Sequence, residues 1–428
     1  MELRSYPELS EQLYWHTLPN GLPIAIVPRP GFTRKLAYFV TDFGAIHRDF
    51  TLNGERYSMP AGIAHYLEHK MFDMPDGDMF PKFAALGATP NAFTSYDLTA
   101  YYFSCTENFP ENLRLLLDFV STPYFTEESV QKEQGIIGQE IGMNEDAPES
   151  RIFENLMVAM YRDHPVRTPI LGTRETIAKI TPELLTACHR AFYRPKNMLL
   201  CVVGDVDPNE VVSIAEATLP QEDTAQVTRV DTWPEEMTCP QKQITANMEV
   251  SMPTFQLGFK CESPVLGEEA VRAEAIGDLA CEALFGESSP LYLRLYEAGL
   301  IDTSFGGGFE TIDGMAMLTV SGDSDYPEQV KDAIMSEARR IVREGLDEKD
   351  FLRMKRSALG RRIRDLDSFD STAFRICAYH FSGFPYFDFP RIYRSIRQDE
   401  LREFLQRVVT EDRCAMSVIY PIKEEESC

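Results

Sequence analysis

Internal repetition is the feature of this 428-residue sequence that most constrains its fold. Ser321–Glu337 parallels Ser104–Val120, since each contains a strand end, a polar turn, Pro-Glu and a helix. Leu346–Lys355 matches Phe125–Gln134 in the same way, and ELREFLQRVVTEDRCAMSVIY near the C-terminus echoes ELLTACHRAFYRPKNMLLCVV. Similarity that is weak in each window but recurs in one order indicates a duplicated unit. Two unrelated α+β domains are the alternative.

Each copy mixes short strands with amphipathic helices. In the first copy, Asn20-Gly21 predicts a hairpin between two short strands in residues 14–27. Thr181-Pro182 is typical of a helix start, with an N-cap followed by proline at the first helical position. The apolar run Met198–Val203 then predicts a strand. The predicted fold class is therefore α+β, with two homologous α/β domains from internal duplication, each an antiparallel-rich sheet packed with helices.

A polar stretch at 219–243 separates the two copies and contains Pro220, Pro234 and Pro240. Clustered prolines interrupt helices and central strands, so this stretch is the natural boundary. We predict an N-terminal domain at 1–220, a linker at 221–243 and a C-terminal domain at 244–428.

Charge and cysteine content exclude several classes of function. The chain has 67 acidic and 42 basic residues and a formal net charge of −25, which argues against binding to a phosphate backbone. Its nine cysteines are scattered without a C-x-x-C pair, as is typical of free thiols in a reducing compartment. The N-terminal residues do not resemble a secretory signal, and no apolar run approaches the roughly 18 to 20 residues of a membrane span. We therefore expect a soluble, cytoplasmic chain that binds neither nucleic acid nor membrane.

The most informative short motif is His65-Tyr66-Leu67-Glu68-His69, an H-x-x-E-H or inverzincin signature. On a helix, His65 and His69 lie one turn apart on one face and can chelate a divalent metal. Glu68 beside them could act as general base towards a water on the metal. The alternative is a chance pattern on an amphipathic helix, but histidine is scarce, with seven in the whole chain.

The second copy lacks this chelate. The stretch that corresponds to the motif helix is Ala275–Phe285. There, Asp278 takes the position of His65, Cys281 that of Glu68 and Glu282 that of His69. Only the first copy is therefore expected to hold a metal.

A catalytic zinc site needs a third protein ligand besides the two histidines. Glu133 and Glu140 lie seven residues apart on a predicted helix, so their carboxylates point the same way. Composition alone favours two solvated glutamates on an ordinary helix face. The residues themselves therefore leave the third ligand open.

The order and spacing of several motifs resemble those of the pitrilysin/insulinase metallopeptidases. These motifs are TLPNGL (17–22), G-I-A-H-x-L-E-H-x-x-F around the histidines, NAFT (91–94), E-x6-E at Glu133–Glu140, and FYRPKNMLLCVVGD (192–205). The resemblance covers the whole chain and is strongest over 14–205. It implies the fold of the mitochondrial-processing-peptidase-like metallohydrolases. The length is similar to that of the family's short members, in which two such chains enclose a chamber.

The same resemblance implies roles for individual residues. It implies one zinc ion per chain held by His65, His69 and Glu140, with Glu68 as catalytic base and Glu133 as a second carboxylate near the site. It further implies an edge strand that pairs with the main chain of an extended peptide. The residues of that strand are Asn91, Ala92, Phe93 and Thr94. The implied activity is a zinc metalloendopeptidase that hydrolyses short or unfolded peptides.

The chain departs from the family in one respect. Active members contribute an Arg and a Tyr, seven residues apart, that bind substrate, but here Leu295 and Asp302 occupy those positions when Gly299-Leu300 is aligned. Arg294 is one residue away, a rotation of about 100° on a helix. Packing of an amphipathic helix explains the neighbouring Tyr292 and Tyr296. We therefore expect a heterodimer with a paralogue that lacks the metal motif, in preference to a homodimer.

Two other functions are compatible with parts of the sequence. One is a catalytically inactive, metal-bearing scaffold subunit of a processing complex, although a scaffold has no need of Glu68. The other is a lyase acting on a thio-sugar, since S-ribosylhomocysteine-cleaving enzymes also use an H-x-x-E-H helix, but those chains are shorter and unduplicated. Zinc is the expected metal for a His2Glu set, with manganese, cobalt and iron as alternatives.

Overall fold

The structure, a computed structural model, describes residues 1–221, 224–230, 232–264 and 266–422. Parts of the predicted linker (222, 223 and 231) and of the predicted C-terminal domain (265 and 423–428) lie outside the described residues. The chain divides into two compact units, each built from three segments. Unit 1 comprises Met1–Ile141, Pro169–Asp231 and Ile363–Phe387, and unit 2 comprises Gly142–Thr168, Thr232–Arg362 and Asp388–Cys428.

Both units combine strands and helices. In the described residues the strands are β1 Glu2–Tyr6, β2 Glu11–Thr17, β3 Pro23–Pro28, β4 Lys35–Thr41, β5 Asp49–Leu52, β6 Glu55–Ser58, β7 Asp73–Met74, β8 Gly77–Asp78, β9 Ala88–Thr94, β10 Thr99–Cys105, β11 Met198–Gly204, β12 Val227–Arg229, β13 Gln243–Met248, β14 Thr254–Cys261, β15 Gly306–Ile312, β16 Met315–Asp323 and β17 Cys414–Pro421. The α-helices are α1 Ile63–Met71, α2 Met79–Ala85, α3 Phe109–Ser121, α4 Glu127–Asp146, α5 Pro148–Met160, α6 Arg174–Ile177, α7 Pro182–Phe192, α8 Pro208–Thr218, α9 Glu268–Phe285, α10 Pro290–Glu297, α11 Pro327–Glu344, α12 Glu348–Arg364, α13 Phe369–Phe381, α14 Phe389–Ser395 and α15 Gln398–Val408.

Local sequence signals place many of these elements correctly. The Asn20-Gly21 turn joins the antiparallel strands β2 and β3, and Gly21 takes the positive φ of 95° that its position requires. Helix α7 starts as predicted, because the Thr181 side chain accepts a hydrogen bond from the Leu184 N–H and Pro182 follows it. The strand predicted at Met198–Val203 is β11, and all of its residues are buried.

The sheet of unit 1 has seven strands in the order β1-β2-β3-β11-β4-β10-β9. Its neighbouring strands are antiparallel except for β3 and β11, which are parallel. Strand β9 therefore lies at one edge of this sheet, paired on one side with β10.

The sheet of unit 2 repeats this pattern with five strands in the order β13-β17-β14-β16-β15. Its only parallel pair among the described strands is β13 with β17, which corresponds to β3 with β11. The same strand order and the same single parallel pair in both sheets confirm the predicted duplication and the α+β fold class.

Two helices cover sheets built from the other half of the chain. Helix α5 packs on β13, β14 and β17 in unit 2, whereas α13 packs on β4 and β11 in unit 1. In unit 2 the fit is close, because a Cβ on Gly258 would lie 2.3 Å from the sulfur of Met160.

These exchanged segments correct the linear division into 1–220, 221–243 and 244–428. The compact units exchange 142–168 and 363–387 between the two sequence halves. The physical reason is that each sheet has a second apolar face, which is buried by a helix from the other half.

The structure also bears on the state of the cysteines and on the expectation about membrane spans. The eight cysteines of the described residues are all free, and seven of them are buried, while Cys428 lies outside those residues. Among the described residues, no helix is both long enough and apolar enough to cross a bilayer.

Candidate metal centre

A cleft of about 710 Å³ opens beside helix α1 in unit 1. Helix α1, helix α4, strand β9 and the loop at 170–171 form its walls. The polar residues of the predicted site all line it, together with an apolar wall. That wall consists of Phe72, Phe80, Phe93, Ile136, Ile170 and Leu171.

Close backbone packing fixes the start of helix α1. Gly62 precedes the helix with a positive φ of 92°, and a Cβ on it would lie 2.5 Å from the carbonyl oxygen of Leu171. The helix is buried almost all round, with His69 as its one residue that is not fully buried. The Tyr66 hydroxyl donates to the carbonyl oxygen of Val130, which ties α1 to α4. This tie sets the histidines of one helix opposite the glutamates of the other.

Three predicted ligands converge in the cleft. The His65 Nε2 and His69 Nε2 atoms each lie 3.6 Å from a different oxygen of Glu140. One ligand atom from each of the three residues falls within 4.8 Å of the others. Zinc bonds of about 2.0 to 2.2 Å in a tetrahedron separate the ligand atoms by roughly 3.3 to 3.6 Å. The donor types and their spacing therefore fit a divalent ion such as zinc.

Glu133 orients His69. The His69 Nδ1 lies 3.0 Å from Glu133 Oε1, and a carboxylate can only accept, so Nδ1 carries the proton and donates. The Nε2 lone pair is then directed towards Glu140 and the cleft. A carboxylate behind a ligating histidine is the usual way to hold the ring and its tautomer. The interpretation of both glutamates as solvated surface residues is wrong for Glu133, whose side chain is 15% exposed.

The two histidines differ in their electrostatics. Burial, and then the proximity of His69, lower the pKa of His65 to about 3, so its imidazole is neutral. Burial also opposes protonation of His69, but the hydrogen bond to Glu133 and the charges of Glu68, Glu133 and Glu140 hold its pKa above the usual value. The buried Nδ1 of His65 has no hydrogen-bond partner among the described residues.

Glu68 points into the same cleft and is 8% exposed. Burial raises its pKa, against the opposing effect of a hydrogen bond of 2.9 Å from the Thr94 hydroxyl to Oε2. The hydroxyls of Tyr101 and Tyr193 are hydrogen-bonded to each other at 2.7 Å in the core nearby. Burial raises the pKa of both phenols, and the charge of Glu68 raises it further. A buried carboxylate with a raised pKa is suited to exchanging protons near neutral pH.

The residues Asn91, Ala92, Phe93 and Thr94 belong to the edge strand β9 and line the cleft. The ring of Phe93 lies 5.9 Å from that of Phe374 on α13, so the exchanged helix supports this strand. The carboxamide oxygen of Asn91 accepts a hydrogen bond of 2.9 Å from the Ala92 N–H.

In unit 2, arginines pair with the residues that replace the histidines. The Glu282 carboxylate is 2.8 Å from the Arg361 guanidinium, and Asp278 lies 3.4 Å from Arg362 and accepts a 2.5 Å hydrogen bond from the Tyr393 hydroxyl. Arg361 corresponds to Glu140 by the offset that aligns Leu346 with Phe125. Residues in ion pairs thus occupy the positions that the two histidines hold in the first copy.

The residues at and beside the expected positions of the Arg and Tyr pair make contacts within this chain. Arg294 is bound to Glu337 at 2.8 Å, and Leu295 is buried. Asp302 accepts a hydrogen bond from the Ser304 N–H. Tyr292 is buried, as helix packing predicts, whereas Tyr296, whose ring stacks on that of Tyr292 at 5.9 Å, is exposed.

Sequence reasoning missed two features of the cleft. The hydroxyl of Thr94 contacts Glu68, although Thr94 was expected only as part of a substrate strand. The apolar residues Ile170 and Leu171 were not singled out, and neither belongs to a periodic pattern. Spacing between distant segments carries no signal for such contacts.

Comparison with known families identifies two matching regions. The description "Insulinase (Peptidase family M16)" matches residues 53–174, which contain the H-x-x-E-H helix, strand β9 and Glu140. The description "Peptidase M16 inactive domain" matches residues 179–358.

Curated relatives carry related names. The chain is 38% identical over 422 residues to the Bacillus subtilis protein named "uncharacterized zinc protease YmfH", covering 97% of this chain and 98% of that one. It is 27% identical over 330 residues to the "uncharacterized zinc protease YmxG" of the same organism, covering 74% and 78% of the two chains.

Solved structures share the fold. An M16-like peptidase from Alicyclobacillus acidocaldarius superposes with a TM-score of 0.92 at 32% identity, covering 96% of this chain and 99% of that one. A protease from Helicobacter pylori superposes with a TM-score of 0.82 at 18% identity, covering 96% and 100%, and this likeness concerns the fold alone.

Proposed function

The chain belongs to the insulinase family of peptidases, M16, and from this premise we propose that it is a zinc metalloendopeptidase subunit that hydrolyses short or unfolded peptides. The observation that carries the proposal is the convergence of His65, His69 and Glu140 beside Glu68 in one cleft. A structural metal site would normally be closed by four protein ligands, whereas three ligands leave a position for water or substrate.

One zinc ion per chain would be held by His65 Nε2, His69 Nε2 and a Glu140 oxygen. When bound, the ion supplies Lewis-acid chemistry, which lowers the pKa of water and polarises a carbonyl. Glu133 keeps the His69 ring in its ligating orientation through the Nδ1 hydrogen bond.

Glu68 is the proposed general base. Its carboxylate takes the proton from the attacking water and then passes it to the leaving amine. Burial raises its pKa, which brings the carboxyl group closer to the pH at which it must both accept and release a proton.

An extended peptide is the proposed substrate. Strand β9 lies at an edge of its sheet and lines the cleft, so a peptide can add to it by main-chain pairing. A folded protein has few segments with free backbone groups, so pairing of this kind favours short or unfolded chains. The apolar wall of the cleft adds side-chain contacts.

We further propose that the active form is a heterodimer with a paralogue that supplies the missing Arg and Tyr, with a homodimer as the alternative. Arg294 is engaged by Glu337, and Leu295 is buried, which supports this view. Purification of the chain from its native source, followed by mass spectrometry, should recover a motif-less paralogue in equal amount. Full peptidase activity of the isolated chain would contradict the proposal.

The free and mostly buried cysteines support a reducing location, and we propose the cytoplasm. Fractionation of the native cells tests this, since the protein should appear with cytoplasmic markers. Recovery in an oxidising compartment would contradict it.

The decisive experiment compares the zinc-loaded protein with its Glu68→Gln variant. Each is mixed with a library of unstructured peptides, alone and with the co-purified partner, and products are identified by mass spectrometry. We expect cleavage only with Glu68, while both proteins bind one zinc ion. Equal cleavage by both proteins would show that Glu68 is not the base.

A metal-bearing scaffold subunit is the second candidate, favoured by the absence of the Arg and Tyr pair in unit 2. It predicts one zinc ion per chain but no cleavage under any of these conditions. The same experiment therefore separates the two functions.

A further inference from the structure

We infer that Thr94 is a positioning residue, whose side chain orients Glu68 while its main chain lies at the edge where the peptide pairs. This inference rests on the proposed peptidase function. It concerns the hydroxyl group of Thr94, which would connect the binding of the peptide to the orientation of the base Glu68.

The side-chain contact has a defined direction. Thr94 Oγ1 lies 2.9 Å from Glu68 Oε2, and the ionised carboxylate can only accept, so the hydroxyl donates. On its other side, Thr94 Oγ1 lies 3.5 Å from the hydroxyl of Thr99. The Thr99 hydroxyl has one proton and donates it to the carbonyl oxygen of Phe43 at 2.8 Å. The Thr94 hydroxyl thus fixes one oxygen of Glu68, which leaves Oε1 to meet the attacking water.

The direction of the Thr94 N–H and C=O groups follows from the hydrogen-bond pattern between β9 and β10. Thr94 is opposite Thr99, and the Ser95 N–H donates to the carbonyl oxygen of Leu98 just beyond this pair. Opposite residues in antiparallel strands alternate between pairs that share hydrogen bonds and pairs that do not. Ser95 with Leu98 shares a bond, so Thr94 with Thr99 does not, and the Thr94 N–H and C=O point to the open edge of the sheet.

The same alternation turns the Ala92 N–H to the open edge. The Asn91 carboxamide oxygen accepts from this N–H at 2.9 Å, as expected of a group that does not bond to β10. Pairing with a peptide would replace this local contact. The groups that meet the substrate backbone and the hydroxyl that holds Glu68 therefore belong to one short segment, and Thr94 contributes to both.

Thr94 therefore couples the binding of the peptide to the orientation of Glu68. A peptide that pairs with the open edge immobilises the backbone of Thr94, and this holds its hydroxyl, and hence Glu68, in place. A hydrogen-bonded neighbour that orients a catalytic group typically changes activity by about 10- to 100-fold when it is removed.

Three variants test the inference with the zinc-loaded protein in the oligomeric state that is active. Thr94→Val keeps the shape and the main chain but removes the hydroxyl, Thr94→Ser keeps the hydroxyl, and Thr89→Val makes the same change at an exposed position of β9. We expect Thr94→Val to lower kcat by about 10- to 100-fold with little change in KM. Thr94→Ser and Thr89→Val should retain most of the wild-type kcat.

A crystal structure of each zinc-loaded variant supplies a readout that is independent of turnover. Glu68 should leave its position in Thr94→Val and keep it in Thr94→Ser. An unmoved Glu68 in Thr94→Val, or equal loss of kcat in the Ser and Val variants, would overturn the inference.

A chain that is not a peptidase would give a different set of results. In that case the wild-type protein cleaves no peptide, yet the position of Glu68 in the Val and Ser structures still decides the role of the Thr94 hydroxyl.

Discussion

At the scale of single residues, the two histidines of the proposed metal site have pKa values shifted in opposite directions. His65 is buried and neutral, with its pKa lowered to about 3. His69 is held by Glu133 and has a raised pKa. A histidine must be neutral to bind a metal, so only His69 makes metal affinity depend on pH near neutrality.

We predict that the zinc affinity of the metal-free protein rises with pH as His69 loses its proton. Because the pKa of His69 lies above the ordinary value of about 6.5, the rise extends above that pH. Glu133→Gln removes the carboxylate that stabilises the proton, so the rise should move to lower pH. At high pH this variant should bind zinc about 10- to 100-fold more weakly, because the ring is less well oriented. Competition with a chelator over a range of pH measures both effects.

Glu140→Gln is the matched control, seven residues further along the same helix. It removes a ligand instead of a partner of His69, so affinity should fall at every pH and by more than in Glu133→Gln. If the two variants showed the same affinity and the same pH profile, the division of roles between the two glutamates would be wrong.

At the scale of elements, the close contact of Gly62 with the backbone of Leu171 positions the start of helix α1. The helix is buried on almost all sides, unlike the amphipathic helix that its sequence suggested as the alternative. Its N-terminus lies against the loop that contains Leu171, because Gly62 has no side chain and can adopt a positive φ.

We predict that Gly62→Ala destabilises the protein by at least about 1 to 2 kcal/mol, the cost of a left-handed conformation for a residue with a Cβ. The contact of that Cβ with the Leu171 carbonyl adds to this cost. Zinc affinity should fall as well, since the helix start must move. Thermal unfolding with and without zinc measures both.

Gly138→Ala provides the control. Gly138 is inside helix α4, and a Cβ there would meet nothing within 4 Å. Alanine should raise stability by about 0.5 to 1 kcal/mol, because glycine is a poor helix former. Equal effects of the two substitutions would contradict the proposed role of Gly62.

At the scale of the whole molecule, the two compact units do not coincide with the two halves of the sequence. Unit 1 includes α13 from the second half, and unit 2 includes α5 from the first. Within unit 1, Cys377 of α13 is fully buried, and the ring of Phe374 contacts that of Phe93 on β9. Arg34 and Asp370 form an ion pair at 2.8 Å in the same unit.

We predict that a fragment of residues 1–220 does not fold cooperatively, although it contains every proposed metal ligand. Without α13, the apolar face of the β4 and β11 strands is exposed to water. Such a fragment should bind a hydrophobic dye and should unfold without a cooperative thermal transition.

Joining residues 363–387 to this fragment through a flexible linker is the control, and it should restore part of the cooperativity. A cooperative transition of the unmodified fragment, with zinc affinity like that of the full chain, would contradict the prediction.

The sequence by itself determined the features that depend on neighbours along the chain. The adjacency of the His65 and His69 rings was predictable because a helix brings residues four apart together, and the Asn20-Gly21 turn and the Thr181 cap are equally local. The order of repeated segments also sufficed for the duplicated α+β fold, because similar segments in the same order form similar sheets.

Only the tertiary structure decided the contacts between distant segments. The approach of Glu140 and Glu133 to the histidines depends on how α4 docks on α1, and the bond from Thr94 to Glu68 depends on the position of β9. The exchange of α5 and α13 depends on which apolar face needs covering. No local sequence pattern predicts these contacts, because they depend on how whole helices pack against whole sheets.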